Sequence, residues 1–430
     1  MNYILLIVLL IELIIVYGFN GKNVVSPSFI ATGGFILSTG VLILSRDFFQ
    51  YTLTYTSVLI ISFVIICILI GELVASKFRF SMNTNLRVPT KSIDSKRLIL
   101  IPKFVILILF LFVIASGILY LYDAYLFSLS VGNTPGNIFG IAKYVRFSGV
   151  DYSPSIFISQ SNLLSECIVY LVFYSYSYNL ILFKKNRLHY LFPLLGFIPH
   201  ILSYDGRTII IKILSICILI YFTLNKQKNN WAKGNNRKIL VVGIMSLLAF
   251  LFIFRFLGYR TDSSINNSLW NNLSEYISSG LVGLDKYVLS GAEKSDIFGK
   301  NVLTAFYGTL RGLGLSVPLY STNDIFFTYA GGESNIYTGL KGYIADFTMI
   351  GLFISMFMWG YCITSLKNKI RIGGVSIIKV FLLGLFFYPV ILISIAGATH
   401  VVLSITTVYA LIYLKTLEYL FIKSKLFKFS

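Results

Sequence analysis

Runs of about 20 apolar residues recur from one end of this 430-residue chain to the other, and each is long enough to cross roughly 30 Å of hydrocarbon as a helix. Lipid offers the backbone no hydrogen-bond partners, so a run of this kind must satisfy its own N–H and C=O groups, which a helix does. A spanning β-barrel would instead alternate in short strands of about ten residues. With 56% hydrophobic residues, only 12% charged and a mean hydropathy of +0.80, the chain has more apolar surface than a soluble domain can hide. The expected fold is an all-α polytopic membrane protein, a single integral membrane domain over 1–430. It has about 11 (10–12) transmembrane helices and one large external loop carrying amphipathic helices.

The spans expected are 2–18, 28–45, 54–76, 98–121, 160–183, 188–204, 207–224, 239–258, 342–365, 376–395 and 399–421. The first lacks a basic leader and a small-residue cleavage site, so it reads as a span and not as a signal peptide. Cys67, Cys167, Cys217 and Cys362 all fall inside apolar runs without paired spacing, which argues against a disulfide framework or a thiolate metal site.

A net charge of +19 raises the question of nucleic acid, but its distribution answers it. Segment 77–97 holds six Lys/Arg and one acid; 184–187, 225–238, 366–373 and the tail from Lys423 are basic without acids. The connections between them are near neutral, and 259–341 balances six bases against seven acids. That alternation is the positive-inside pattern. It places 77–97 and the C-terminus in the cytoplasm, and 122–159 and 259–341 outside. No nucleic-acid partner is implied. Within 259–341, Trp270 to Tyr287 and Phe298 to Leu310 carry apolar residues near helical spacing. They read as two amphipathic helices lying along the outer membrane surface.

On that outer side Arg207, Arg260 and Arg311, with Arg255 nearby, run against the charge bias. A guanidinium fork there suits phosphate or carboxylate; snorkelling or pairing with Asp205 or Asp262 is the alternative. Candidate proton acceptors are Asp205, Asp346 and His400; each also has a structural reading, as an ion-pair partner or an interfacial hydrogen-bonding residue. His200 reads as a satisfied buried histidine. Mid-span charges are sparse: Glu12, Glu72, Glu166 and Lys212. There is no D-x-D pair and no Walker A motif, so neither a metal nor a nucleotide cofactor is expected.

Residues 331–360, "GGESNIYTGLKGYIADFTMIGLFISMFMWG", contain an Asn-x-Tyr-Thr element (Asn335, Tyr337, Thr338), then Tyr-x-x-Asp-Phe (Tyr343, Asp346, Phe347) entering a glycine-containing span. "GRT" opens a span at 206–208, and "GYRTD" and "FGKNVLTAFYGTLRGLG" lie in the long loop. In this order the elements resemble the oligosaccharide repeat unit polymerases, the Wzy-type O-antigen or capsular polysaccharide polymerases. One departure stands out: the glycine usual after Asp-Phe is Thr348 here.

The resemblance implies a glycosyltransferase of the cytoplasmic (inner) membrane whose active face is periplasmic or extracellular. It would join oligosaccharide repeat units carried on undecaprenyl pyrophosphate into O-antigen or capsule, without metal or nucleotide. Its partners would be that lipid-linked saccharide, the bilayer, and the chain-length regulator and flippase of the same pathway. Arg207, Arg260, Arg311, Asn335, Tyr337 and Tyr343 would bind pyrophosphate and sugar, and Asp205, Asp346 or His400 would activate the attacking hydroxyl. The rival readings are an O-antigen ligase, a lipid-linked oligosaccharide flippase or other transporter, and a non-enzymatic scaffold.

Overall fold

The computed structural model describes residues 1–82, 97–131, 152, 154–203, 207–231, 269–317 and 326–423. The expected span 239–258, together with Asp205, Arg255, Arg260 and Asp262, lies outside them. Among the described residues eight helices are long and apolar enough to cross a membrane, and two shorter apolar ones cover Leu188–Ile201 and Ile377–Leu392. The described residues are thus mostly helical, with the long apolar helices that a multi-pass membrane protein requires. Its contacts divide it into two compact units.

The first unit comprises Met1–Pro89, Asn266–Ile372 and Leu385–Thr407. It contains α1 (Asn2–Phe19), α2 (Pro27–Leu44), α3 (Arg46–Phe49) and α4 (Tyr55–Met82). Ser26 caps α2 by accepting from the Phe29 N–H, with Pro27 in the first turn, where a missing N–H costs nothing. Helices α1, α2 and α4 pack together. Glu72, buried on α4, would be intolerable in lipid alone. It accepts from the Ser28 N–H at 2.8 Å, the Ser28 hydroxyl at 2.7 Å and Asn20 at 2.5 Å, which ties the α1–α2 turn to α4.

The first expected loop helix forms as α5 (Leu269–Leu289), but it does not lie along a surface. Ser274 and the whole stretch Ile277 to Asp285 are buried, and the helix packs on α2 and α4. Its polar face meets protein, not water. Ser274 bonds Ser45 at 2.7 Å, Ser278 donates to the Ser38 carbonyl at 2.8 Å, and fully buried Asp285 accepts from the Thr54 N–H, the Thr54 hydroxyl and the Tyr51 hydroxyl at 3.0, 2.5 and 2.8 Å. Gly280 and Gly283 permit the approach: a Cβ at Gly280 would stand 3.1 Å from the Ser394 carbonyl oxygen. Counting apolar periodicity registered the amphipathic face but not the buried partners of the other one.

The second loop helix is shorter than its apolar pattern, α6 (Thr304–Gly312), and a two-stranded antiparallel hairpin follows, β1 (Phe327–Tyr329) and β2 (Gly332–Ser334). Helix α7 (Leu340–Gly373) crosses α4 at two glycines. A Cβ at Gly360 would collide with the Ile68 carbonyl, and one at Gly71 with the backbone of Phe357 to Tyr361. Close crossings of this kind are how helices associate when lipid removes the hydrophobic drive between them.

The second unit comprises Thr90–Ile265, Gly373–Gly384 and Val408–Ser430. It holds α8 (Lys103–Ser130), α9 (Ile156–Phe183) and α10 (Arg207–Lys228). The expected span 188–204 is not one helix. It breaks into a 3₁₀ turn Leu188–Leu191 and short helices Phe192–Gly196 and Ile198–Ser203. Pro193 and Pro199 fall in the first two positions of those pieces, where proline starts a helix and cannot continue one. Helix α11 (Ile377–Leu392) begins in the second unit and ends in the first, with Pro389 inside it. The expected last span begins in the first unit with a 3₁₀ turn, Thr399–Val401, before α12 (Ile405–Glu418), most of which belongs to the second.

Candidate functional site

The sequence-derived site residues that the structure describes gather mostly at one end of the first unit, around the start of α7. Asp346, half-buried in its second turn, faces the loop that precedes α6. One carboxylate oxygen accepts from the Asn301 and Val302 N–H groups at 2.9 and 2.7 Å. The other accepts from the Ser295 hydroxyl and the Asn301 carboxamide, each at 2.8 Å. The Ser295 N–H reaches the Ala345 carbonyl at 2.9 Å. A carboxylate so fully engaged pins residues 295–302 to α7. The arrangement makes Asp346 a positioning residue.

Tyr343, one turn earlier, is buried; its hydroxyl accepts from Trp359 Nε1 and bonds the Thr399 hydroxyl, both at 2.6 Å. That fixes the 3₁₀ turn carrying His400, whose side chain is exposed. The same turn packs on α6, and Thr309 of α6 accepts from the Ile405 N–H at 3.3 Å. Arg311, exposed in the last turn of α6, is thereby held on an element that touches the histidine's turn. Asn335 is exposed just after β2.

Tyr337 lies edge-on to Phe327 at 5.2 Å, and Lys341 Nζ stands 3.5 Å from the centre of its ring and 5.7 Å from that of Tyr287. An ammonium over tyrosine faces is a cation–π contact. Burial, with the nearby Glu293 and Asp346 carboxylates, pushes the Tyr287 hydroxyl up to about 12, so that phenol stays neutral and is no base near neutrality.

The backbone at Thr348 is the most unusual feature here. Its φ of 65° and ψ of −177° interrupt α7, a conformation occupied almost only by glycine. The residues before it are anchored by Asp346 and Tyr343, and those after it by the Gly360 crossing.

Arg207 is the first residue of α10, in the second unit. Asp205 and Arg260 lie outside the described residues. Sequence reasoning missed Trp359, Thr399, Asn301, Ser295 and Lys341, ordinary residue types whose roles come from long-range contacts. Among the described residues no group of three or more His, Cys, Asp or Glu side chains is placed to hold a metal ion. The chain matches no protein-family model, no curated protein and no solved structure.

Proposed function

We propose that this multi-pass membrane protein polymerises oligosaccharide repeat units carried on undecaprenyl pyrophosphate, on the outer face of the cytoplasmic membrane. The observation that supports this most is the junction of the long loop with α7. Asp346 and Tyr343 of the Tyr-x-x-Asp-Phe element fix one loop and one turn, next to an exposed guanidinium and an exposed imidazole on packed elements.

In the reaction, a hydroxyl of the acceptor repeat attacks the anomeric carbon of the donor chain. A C–O bond forms, the bond from that carbon to the diphosphate oxygen breaks, and undecaprenyl pyrophosphate leaves with the electron pair. The hydroxyl proton passes to His400 and from there to water. Arg311 stabilises charge on the departing diphosphate, as fixed cations do best where charge develops. Asp346 and Tyr343 hold the geometry, and Asn335 and Tyr337 contact sugar. The energy resides in the phospho-sugar bond, so no nucleotide is consumed.

The test is deletion of the gene, with complementation by wild-type, Arg311→Lys and His400→Ala chains, read on a gel of surface polysaccharide. The proposal expects single-repeat products in the deletion strain, a full ladder from wild type, and short or single-repeat products from both variants at normal expression. Total loss of surface glycan on deletion would point to a ligase or flippase, and full ladders from both variants would remove these two residues from the mechanism.

A further inference from the structure

Tyr343 and Trp359 both belong to α7, yet their side chains touch: the indole N–H donates to the Tyr343 hydroxyl at 2.6 Å. They stand 16 residues apart, and a straight helix rising about 1.5 Å per residue would separate them by about 24 Å, beyond the combined reach of the two side chains. A second pair of contacts agrees. Gly339, next to the first residue of α7, donates its N–H to the Ile393 carbonyl at 2.9 Å, and Trp359 lies edge-on to Phe386 at 5.6 Å. Positions 339 and 359 would be about 30 Å apart on a straight helix, whereas 386 and 393 are about 10 Å apart along α11 and its last turn. Only a reversal reconciles these separations, and the non-helical backbone at Thr348 supplies it. Residues 340–347 therefore fold back along the span formed by 349–373. The side chain of Phe347 lies over Gly351, where a Cβ would collide with it.

The fold-back has a chemical consequence at the turn that carries His400. An indole N–H only donates, so the Tyr343 oxygen is its acceptor, and the one proton of that phenol is left for the Thr399 hydroxyl at 2.6 Å. Tyr343 and Thr399 are both buried, where an unpaired polar proton is costly. The bonds thus run from Trp359 through Tyr343 to Thr399, the residue that opens the 3₁₀ turn Thr399–Val401. That turn packs on α6, the helix of Arg311. The strained backbone at Thr348 is what lets a donor well inside the span reach it. All of these residues lie within the first unit.

We propose that Trp359 is a positioning residue for the reaction: acting through Tyr343 and Thr399, its N–H fixes the place and orientation of the turn that holds His400. This rests on the polymerase reading, in which His400 takes the proton of the attacking hydroxyl. The ring contact with Phe386 serves packing and survives in a phenylalanine; the N–H is the part with a role in the reaction.

The experiment uses the full-length chain twice: in liposomes with undecaprenyl-diphosphate-linked repeat units as substrate, and with isotope-labelled histidine in nanodiscs for NMR. The chain has three histidines, so the His400 resonance is assigned by its loss in His400→Gln. Trp359→Phe should lower kcat about tenfold, within the range that a displaced catalytic group costs. It should leave KM unchanged and broaden or split the His400 resonance. Trp359→His, whose ring keeps an N–H donor, should recover most of the lost rate. Tyr343→Phe removes the same bond from its other end and covers the case in which Trp359→Phe does not fold. It should match Trp359→Phe, and the double variant should be no slower than either single one, as coupled residues behave. An unchanged kcat in both phenylalanine variants overturns the proposal. So does a lower kcat with an unaltered His400 resonance, or an equal loss in Trp359→His. A wild-type chain that folds but makes no polymer overturns the polymerase reading and this proposal with it.

Discussion

Replacing Thr348 by glycine should make the protein more stable, although the residue is exposed and touches little. A non-glycine residue held near φ 65°, ψ −177° carries a strain of about 1–3 kcal/mol. Glycine removes that strain but adds about 0.5–1 kcal/mol of backbone entropy to the unfolded chain. The net gain is therefore up to about 2.5 kcal/mol, with about 1 kcal/mol at mid-range. With an unfolding entropy of about 2 cal/mol/K per residue, a chain of 430 residues shifts by roughly 1 °C per kcal/mol, so the expected rise in melting temperature is about 1 °C at mid-range and up to about 2.5 °C. Thr348→Ala is the control, because its Cβ keeps the steric conflict. The assay is thermal unfolding in detergent for wild type, Thr348→Gly, Thr348→Ala and each in an Asp346→Asn background. Releasing the Asp346 anchor should let Thr348 relax, so glycine should gain less there, as expected for coupled neighbours. Equal shifts for glycine and alanine, or a lower melting temperature for glycine, would refute the strain argument.

Gly71→Ala and Gly360→Ala should each lower the melting temperature or folded yield strongly, because the added methyl meets backbone of the crossing helix; Gly40→Ala, with open space around it, should be neutral or slightly stabilising. Asp346→Asn should expose residues 295–303 to limited proteolysis and shorten the polymer, since the amide cannot replace a carboxylate that accepts four hydrogen bonds. Tyr51→Phe should cost about 1 kcal/mol by removing one donor to Asp285. Asp285→Ala should cost more than Tyr51→Phe, because it leaves the Thr54 N–H without its acceptor; chemical denaturation of the two variants measures the difference.

The helical membrane architecture was legible because length and apolarity alone determine it. What hydropathy could not read were the helices whose polar residues are buried. Asp285, Ser274 and Ser278 resemble a solvated face until Ser38 of α2 and the α2–α4 connection (Ser45, Tyr51, Thr54) supply their partners. The prolines at 193 and 199 were visible in the sequence, yet the apolar run around them outweighed their breaking effect. Of the candidate site, the motif order drew attention to Tyr343 and Asp346, and the scarcity of histidines to His400. Their roles needed distances: Asp346 as a clamp and Tyr343 as a brace are facts of tertiary contact.

The central claim is tested most directly by mixing the purified protein in liposomes with undecaprenyl-diphosphate-linked repeat units and an excess of EDTA, without nucleotide. The account predicts a ladder of polymer on the lipid carrier, with one undecaprenyl diphosphate released for each bond formed. A substrate that remains a single repeat while wild-type protein stays folded, or a ladder that appears only with nucleotide or divalent metal, would contradict it.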